Sequence, residues 1–275
     1  MNSFLEIMGV ESICLREAVH LAKRSVKYWH LIGKLYGESV RDLRAAKVFR
    51  AAYFFCRHID DVLDWDRTVT SDPEEYVYTL LHAMETGQRG PPILALYTFA
   101  IRSLKEMASE KDNPEFYFTQ VIRDAMLFDY ERAKNKKVLT REELERYYDA
   151  TFIPVMNIAL LIAGSRQRIE DIPEMITTQG HIYSVRDLKR DLGQGIVNIP
   201  QEELARAGLK SGAFSYESIT RNPFLLSWMD NEIRTYQKEL HLAKEKIGDA
   251  ASRRVCSPLI LQMEIYCALY RLGFH

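Results

Sequence analysis

Two groups of aspartates are the residues best placed to do chemistry. In the stretch AAYFFCRHIDDVLDWD, residues 51–66, Asp60 and Asp64 stand four apart and share one face of a helix, with Asp61 to one side. Around them, Tyr53, Phe54, Phe55, Ile59, Val62, Leu63 and Trp65 are the residues of a core helix. A second pair, Asp187 and Asp191, has the same spacing in IYSVRDLKRD, residues 182–191, among Arg186, Lys189 and Arg190. Like charges one turn apart repel, so each pair calls for a compensating cation. Two helices turning such pairs into a bundle interior suit Mg2+, which takes one or two carboxylates and completes its shell with water and substrate phosphate. Ions held there neutralise a diphosphate and make it a better leaving group. Arg57, Arg186 and Lys189 are placed to add contacts to its oxygens. The competing reading is local pairing on solvated faces: Arg57 precedes Asp61 by four, and Asp187 and Asp191 have basic neighbours of their own. Two pairs on separate apolar helices favour the metal, because polar pairs inside a bundle are costly unless matched.

The elements that position these residues read as helices throughout. Apolar residues recur at three- and four-residue spacing, and alternating β-branched runs are scarce. Asp72-Pro73, Asn113-Pro114 and Asn222-Pro223 each place a cap before a proline at the first helical position, and Thr140 with Glu143 forms a capping box. Helices are expected near 13–33, 40–65, 73–86, 92–110, 114–133, 141–164, 169–192, 223–247 and 251–272. Pro154, inside the helix from 141 to 164, predicts a kink, set either by a cavity or by packing. The long connection, 193–222, carries Gly193, Gly195, Pro200, Gly208 and Gly212. No repeat or linker is present, so one all-α bundle domain spanning 1–275 is expected.

Composition narrows the rest. A chain of 275 residues with 47% hydrophobic content can bury a large core, and a net charge of −1 gives no support to nucleic-acid binding. The run Lys134-Asn135-Lys136-Lys137 reads as a solvated loop. Cys14, Cys56, Cys256 and Cys267 lie far apart and read as reduced core thiols of a cytoplasmic protein. The N-terminus lacks the features of a signal peptide, and no window approaches a membrane span, which leaves peripheral membrane contact open. The seven histidines form no HxxxH or HExxH, and there is no Walker loop and no GxGxxG. Gly164-Ser165 lacks the preceding strand of a serine hydrolase elbow.

AAYFFCRHIDDVLD resembles the first aspartate-rich motif of the squalene and phytoene synthases, and VRDLKRDLGQGIVNIPQEEL, residues 185–204, resembles their second. Pro200 follows Asp191 by nine and Gly195 follows it by four, which keeps the family register. Between them, Met126-Leu127-Phe128-Asp129 and Glu143-Leu144 with Tyr147 fall where the family has M-x-x-D and E-L-x-x-Y. The resemblance runs from about 25 to 272 and implies an all-α isoprenoid synthase fold, a helical bundle around a central cavity. It implies Mg2+-dependent head-to-head condensation of two prenyl diphosphates, farnesyl or geranylgeranyl diphosphate. Carried over by position, Asp60, Asp61, Asp64, Asp187 and Asp191 hold magnesium, and Arg57, Arg186, Lys27, Lys189 and Tyr266 contact diphosphate. Tyr147 matches the tyrosine that assists proton removal or cation stabilisation; packing in an amphipathic core is the alternative for Tyr147 and for Tyr266.

The sequence departs from the family pattern across the second motif. Tyr183 replaces the asparagine of N-x-x-R-D-x-x-E-D, Arg190 replaces its glutamate, and Gly180 stands where a glutamine is usual. The serine-rich N-terminal segment corresponds loosely to Ser25-Val26-Lys27-Tyr28-Trp29, and a small-residue helix segment becomes the bulkier Thr151 to Met156. Three readings follow: a condensing synthase of squalene or phytoene type; a terpene synthase that cyclises or hydrolyses one prenyl diphosphate, favoured by the bulk of Phe152, Met156 and Tyr183; and a non-catalytic assembly protein, against which the five aspartates argue.

Overall fold

A computed structural model describes residues 2–209 and 214–272, apart from the side chains of 2–7 and 27. The chain is 78% helical, with no strand among the described residues, as the helical spacing of its apolar residues requires. Its Cα positions group into two compact units, Met1–Ile122 and Arg123–His275.

The first unit contains α1 (Asn2–Arg24), α2 (Lys27–Gly37), α3 (Leu43–Leu63), α4 (Pro73–Thr86), α5 (Leu94–Met107) and α6 (Pro114–Gln120). Helix α3, which carries the first aspartates, packs on α5, α1 and α4. Its buried side includes Phe54, Phe55, Ile59 and Val62. The Phe55 ring lies 5.4 Å from Tyr97 and 5.9 Å from Phe118, so aromatic edges lock the helix against its neighbours.

A π-helical turn, Val121–Leu127, carries the chain from α6 to α7 (Phe128–Asn135). The second unit continues with α8 (Arg141–Ile162), α9 (Pro173–Gly193), α10 (Gln201–Arg206), α11 (Tyr216–Thr220), α12 (Pro223–Lys246) and α13 (Ala250–Arg271). Helix α9, bearing the second aspartates, packs on α12, α8 and α13. Met156, Ile176, Ile182, Ile233, Leu240 and Met263 belong to the core cluster between them.

The expected helix starts are present as hydrogen-bonded caps. Asp72, Asn113 and Asn222 accept from backbone N–H groups of the first turn, and Thr140 and Glu143 satisfy one another reciprocally. Two differences matter. The expected helix 13–33 is two helices separated at Ser25–Val26, so that α1 ends on Arg24. The long connection holds α10 and α11, of six and five residues, too short for their apolar spacing to register. Helix α8 runs through Pro154, which is buried, and α13 likewise contains Pro258. All four cysteines are free thiols, and burial pushes Cys14 and Cys56 up to about 12. No helix among the described residues is long and apolar enough to cross a membrane.

Candidate active site

Helix α3 ends on its aspartates. Asp64 is its C-cap, and the Asp64 N–H still donates to the Asp60 carbonyl at 2.9 Å, which keeps the two residues one turn apart. Trp65 then enters the left-handed region at φ 60°, and Arg67 N–H closes the turn onto the Asp61 carbonyl at 2.8 Å. The three carboxylates diverge in environment. Asp61 is 1% exposed and is clamped by Arg57 at 2.6 Å and by Arg24, which also reaches Asp66. His20 Nε2 stands 3.6 Å from the same carboxylate. Asp60 is half-buried, and Arg57 donates to its Oδ2 at 2.5 Å, while Asp64 is exposed. Arg57 and Arg24 both lie 5.6 Å from the Tyr28 ring centre, and Arg57 reaches the Tyr28 hydroxyl at 3.4 Å. Lys27 lies in α2, with its side chain outside the described residues.

Behind this turn runs a buried polar chain that sequence spacing did not reveal. Arg67 holds Glu17 at 2.6 Å, His58 Nδ1 lies 3.5 Å from Glu17, and His58 Nε2 bonds the Tyr76 hydroxyl at 3.0 Å. Burial pushes the Glu17 carboxyl upward, but His58 and Arg67 outweigh it and hold its pKa below the usual value. The chain ties α1, α3 and α4 to the segment that follows Asp64.

In the second unit, α9 sets Asp187 and Asp191 one turn apart, and every one of their four oxygens accepts from this chain. Arg186 grips Asp187 with both arms, Nε to Oδ1 at 2.8 Å and Nη2 to Oδ2. Arg190 Nη2 bridges the pair, 3.3 Å from Asp187 Oδ2 and 3.2 Å from Asp191 Oδ1. Asn198 Nδ2 donates to Asp191 Oδ2 at 2.9 Å. Arg186 also lies over two aromatic rings, 3.9 Å from the Tyr183 centre and 4.9 Å from that of Tyr266. Cation–π contact and a bidentate carboxylate fix its plane. Burial raises the Asp191 carboxyl to about 6, although Arg190 opposes the shift. Lys189 is exposed and lies 5.6 Å from the Tyr216 ring. Tyr266 accepts from Gln262 at 2.7 Å.

Tyr147, on α8, donates to Asp129 Oδ2 at 2.5 Å. Asp129 pairs with Arg132 at 2.6 Å, and Arg132 donates to Asn198 Oδ1 at 2.6 Å. A continuous chain therefore runs from Tyr147 through Asp129, Arg132 and Asn198 to Asp191. Burial raises the pKa of Asp129 and takes that of Tyr147 well above its ordinary value. Arg132 is 2% exposed, with its guanidinium 4.4 Å from the Tyr147 ring centre. Neither Arg132 nor Asn198 stood out in the sequence; a lone arginine after Asp129 and an asparagine before Ile199-Pro200 carry no spacing signal.

A small pocket in this unit lies between α9 and α12, lined by His181, Ser184, Asn198, Trp228 and Glu232 among others. Among the described residues, no group of three or more His, Cys, Asp or Glu side chains converges as a ready cation cage.

The model of the squalene/phytoene synthase family matches residues 41–272. The chain belongs to the squalene/phytoene synthase family. Members are transferases of isoprenoid biosynthesis that condense prenyl diphosphates such as farnesyl diphosphate head to head, using a divalent metal to ionise them. No curated protein and no solved structure matches the chain.

The departures from the squalene and phytoene synthase pattern have local explanations in this member. At Gly180 a Cβ would meet the Tyr148 ring at 2.3 Å, so the glycine is what lets Tyr148 close on α9 and bond Ser184 at 2.6 Å. Tyr183 packs edge-on against Phe152 at 6.0 Å and against Tyr266 at 6.1 Å. Arg190 bridges the two aspartates. Gly195, four residues after Asp191, turns the chain with a φ of 82° where a Cβ would lie 3.2 Å from the Ala133 carbonyl.

Proposed function

We propose that this chain ionises prenyl diphosphates with Mg2+ and condenses two of them head to head to a squalene- or phytoene-type product. The observation that carries this reading is that the family match, 41–272, spans both aspartate pairs. The same match crosses both compact units, which supports treating 1–275 as one isoprenoid synthase domain.

The first motif fits a hard divalent cation. Asp60 and Asp64 are carboxylate oxygens one turn apart, half-buried and exposed, and magnesium completes such a pair with water and phosphate oxygens. When bound, the ion supplies charge neutralisation that improves diphosphate as a leaving group. Asp61 serves these ligands from below, holding Arg57 and Arg24. Arg57 takes diphosphate oxygens beside the first motif, and Arg186, Lys189 and Tyr266 take them beside the second. The second pair does not fit a cation in the same way, because each of its oxygens already accepts from Arg186, Arg190 or Asn198. Tyr147 is the catalytic tyrosine of this reading: its Oη holds a proton shared with Asp129 Oδ2, next to Arg132.

One observation favours a second reading, ionisation and cyclisation or hydrolysis of a single prenyl diphosphate. Phe152, Tyr183 and Met156 fill the interior beside α9, leaving less room for two chains. The experiment that separates the two is product mass after incubation with farnesyl or geranylgeranyl diphosphate and Mg2+. Thirty or forty carbons marks condensation; fifteen or twenty marks the single-substrate reaction.

A further inference from the structure

We propose that the second carboxylate pair is neutralised by this chain's own guanidiniums and takes no divalent cation, with Arg190 as the residue that decides it. The inference rests on the reading of Asp60 and Asp64 as metal ligands only for its contrast, not for its geometry.

Magnesium binds through oxygens at about 2.1 Å in near-octahedral geometry. All four oxygens of Asp187 and Asp191 are engaged by charged or amide donors, and Arg190 Nη2 sits between the two carboxylates, where a bridging cation would sit. A cation entering there meets the positive charge of Arg190 and must displace charge-assisted hydrogen bonds. Arg186 cannot easily yield, because Tyr183 and Tyr266 pack on it. Asn198 is held in turn by the buried Arg132. Arg190 is the least constrained member, its side chain 62% exposed, so it is the one whose replacement reopens the pair without disturbing the core. Arg190→Glu removes the blocking charge and adds a third carboxylate three residues after Asp187 and next to Asp191.

The test counts manganese ions bound per full-length chain, by electron paramagnetic resonance titration with Mn2+ alone, with circular dichroism melts confirming each variant is folded. The expected result is that Asp187→Asn/Asp191→Asn leaves the wild-type stoichiometry unchanged, that Asp60→Asn/Asp64→Asn abolishes it, and that Arg190→Glu binds one ion more than wild type. Loss of an ion in Asp187→Asn/Asp191→Asn, with the first motif intact, overturns the inference, as does an unchanged count in Arg190→Glu. If wild type binds no ion but Arg190→Glu gains one, the inference stands and the metal reading of Asp60 and Asp64 falls.

Discussion

The hydroxyl of Tyr147 donates to Asp129 Oδ2 at 2.5 Å, inside the second unit and against the buried Arg132. The Tyr147 ring is thus tied to a carboxylate through its hydroxyl as well as packed against its neighbours. Removing the hydroxyl in Tyr147→Phe keeps the ring and its contacts but takes away the proton. Positioned acid–base groups contribute typically about 100-fold or more. We expect product formation to fall by about that factor, with a separate loss of about 1–3 kcal/mol of stability from the part-buried Asp129 oxygen left without its donor, measured by steady-state kinetics and calorimetry. A fall in stability with unchanged turnover would assign Tyr147 to packing.

Asp129 and Glu17 give pH dependences of opposite sign. Burial raises the folded pKa of Asp129, so the folded state binds its proton more tightly than the unfolded chain does. Its contribution to stability is greatest below the ordinary aspartate range and is lost as pH rises through the folded value. Glu17 has a lowered folded pKa: burial works against it, but His58 and Arg67 prevail. Its contribution is present above the ordinary glutamate value and is lost as pH falls through the folded one. Urea unfolding from pH 3 to 8 is expected to show Asp129→Asn gaining on wild type as pH rises, and Glu17→Gln losing to it over the same direction.

The first three aspartates should separate by stability. Asp61 is fully buried between two arginines, and breaking a buried pair by removing one partner costs about 3–5 kcal/mol. Asp60 is partly exposed and its pairing with Arg57 is worth about 1 kcal/mol or less. Asp61→Asn is therefore expected to lower unfolding free energy by several times the loss in Asp60→Asn, read by chemical denaturation. Equal losses would deny Asp61 its structural role.

Gly180→Ala places a Cβ into the Tyr148 ring, and overpacking of this kind costs about 1–3 kcal/mol. The double variant Gly180→Ala/Tyr148→Leu should recover part of that loss. No recovery in a double-mutant cycle would show that the glycine answers to something other than the ring.

Much of this was readable in the chain, and what was hidden was hidden for a physical reason. The caps of α4, α6, α8 and α12 are local: a side chain bonds an N–H two or three residues away, so the short motif carries the whole interaction. The i, i+4 aspartates are local in the same sense. The division of labour among Asp60, Asp61 and Asp64 is not, because it depends on Arg24, 37 residues before Asp61. Arg132 and Asn198 lie 66 residues apart and meet only once the second unit folds. Gly180 reads as a loss in the sequence and as a fit in the structure, since Tyr148 fills the space. The change from glutamate to arginine at 190 was visible as a reversed charge, but its consequence, a guanidinium shared by both aspartates, needed coordinates.

Metal-dependent ionisation of a prenyl diphosphate is read from the release of inorganic diphosphate from farnesyl and geranylgeranyl diphosphate. The expected result is release with Mg2+, its loss on chelation, and a fall of at least about 100-fold in Asp60→Ala and Asp64→Ala. No release from either substrate by folded wild-type protein in Mg2+, or release unaffected by both substitutions, would contradict it.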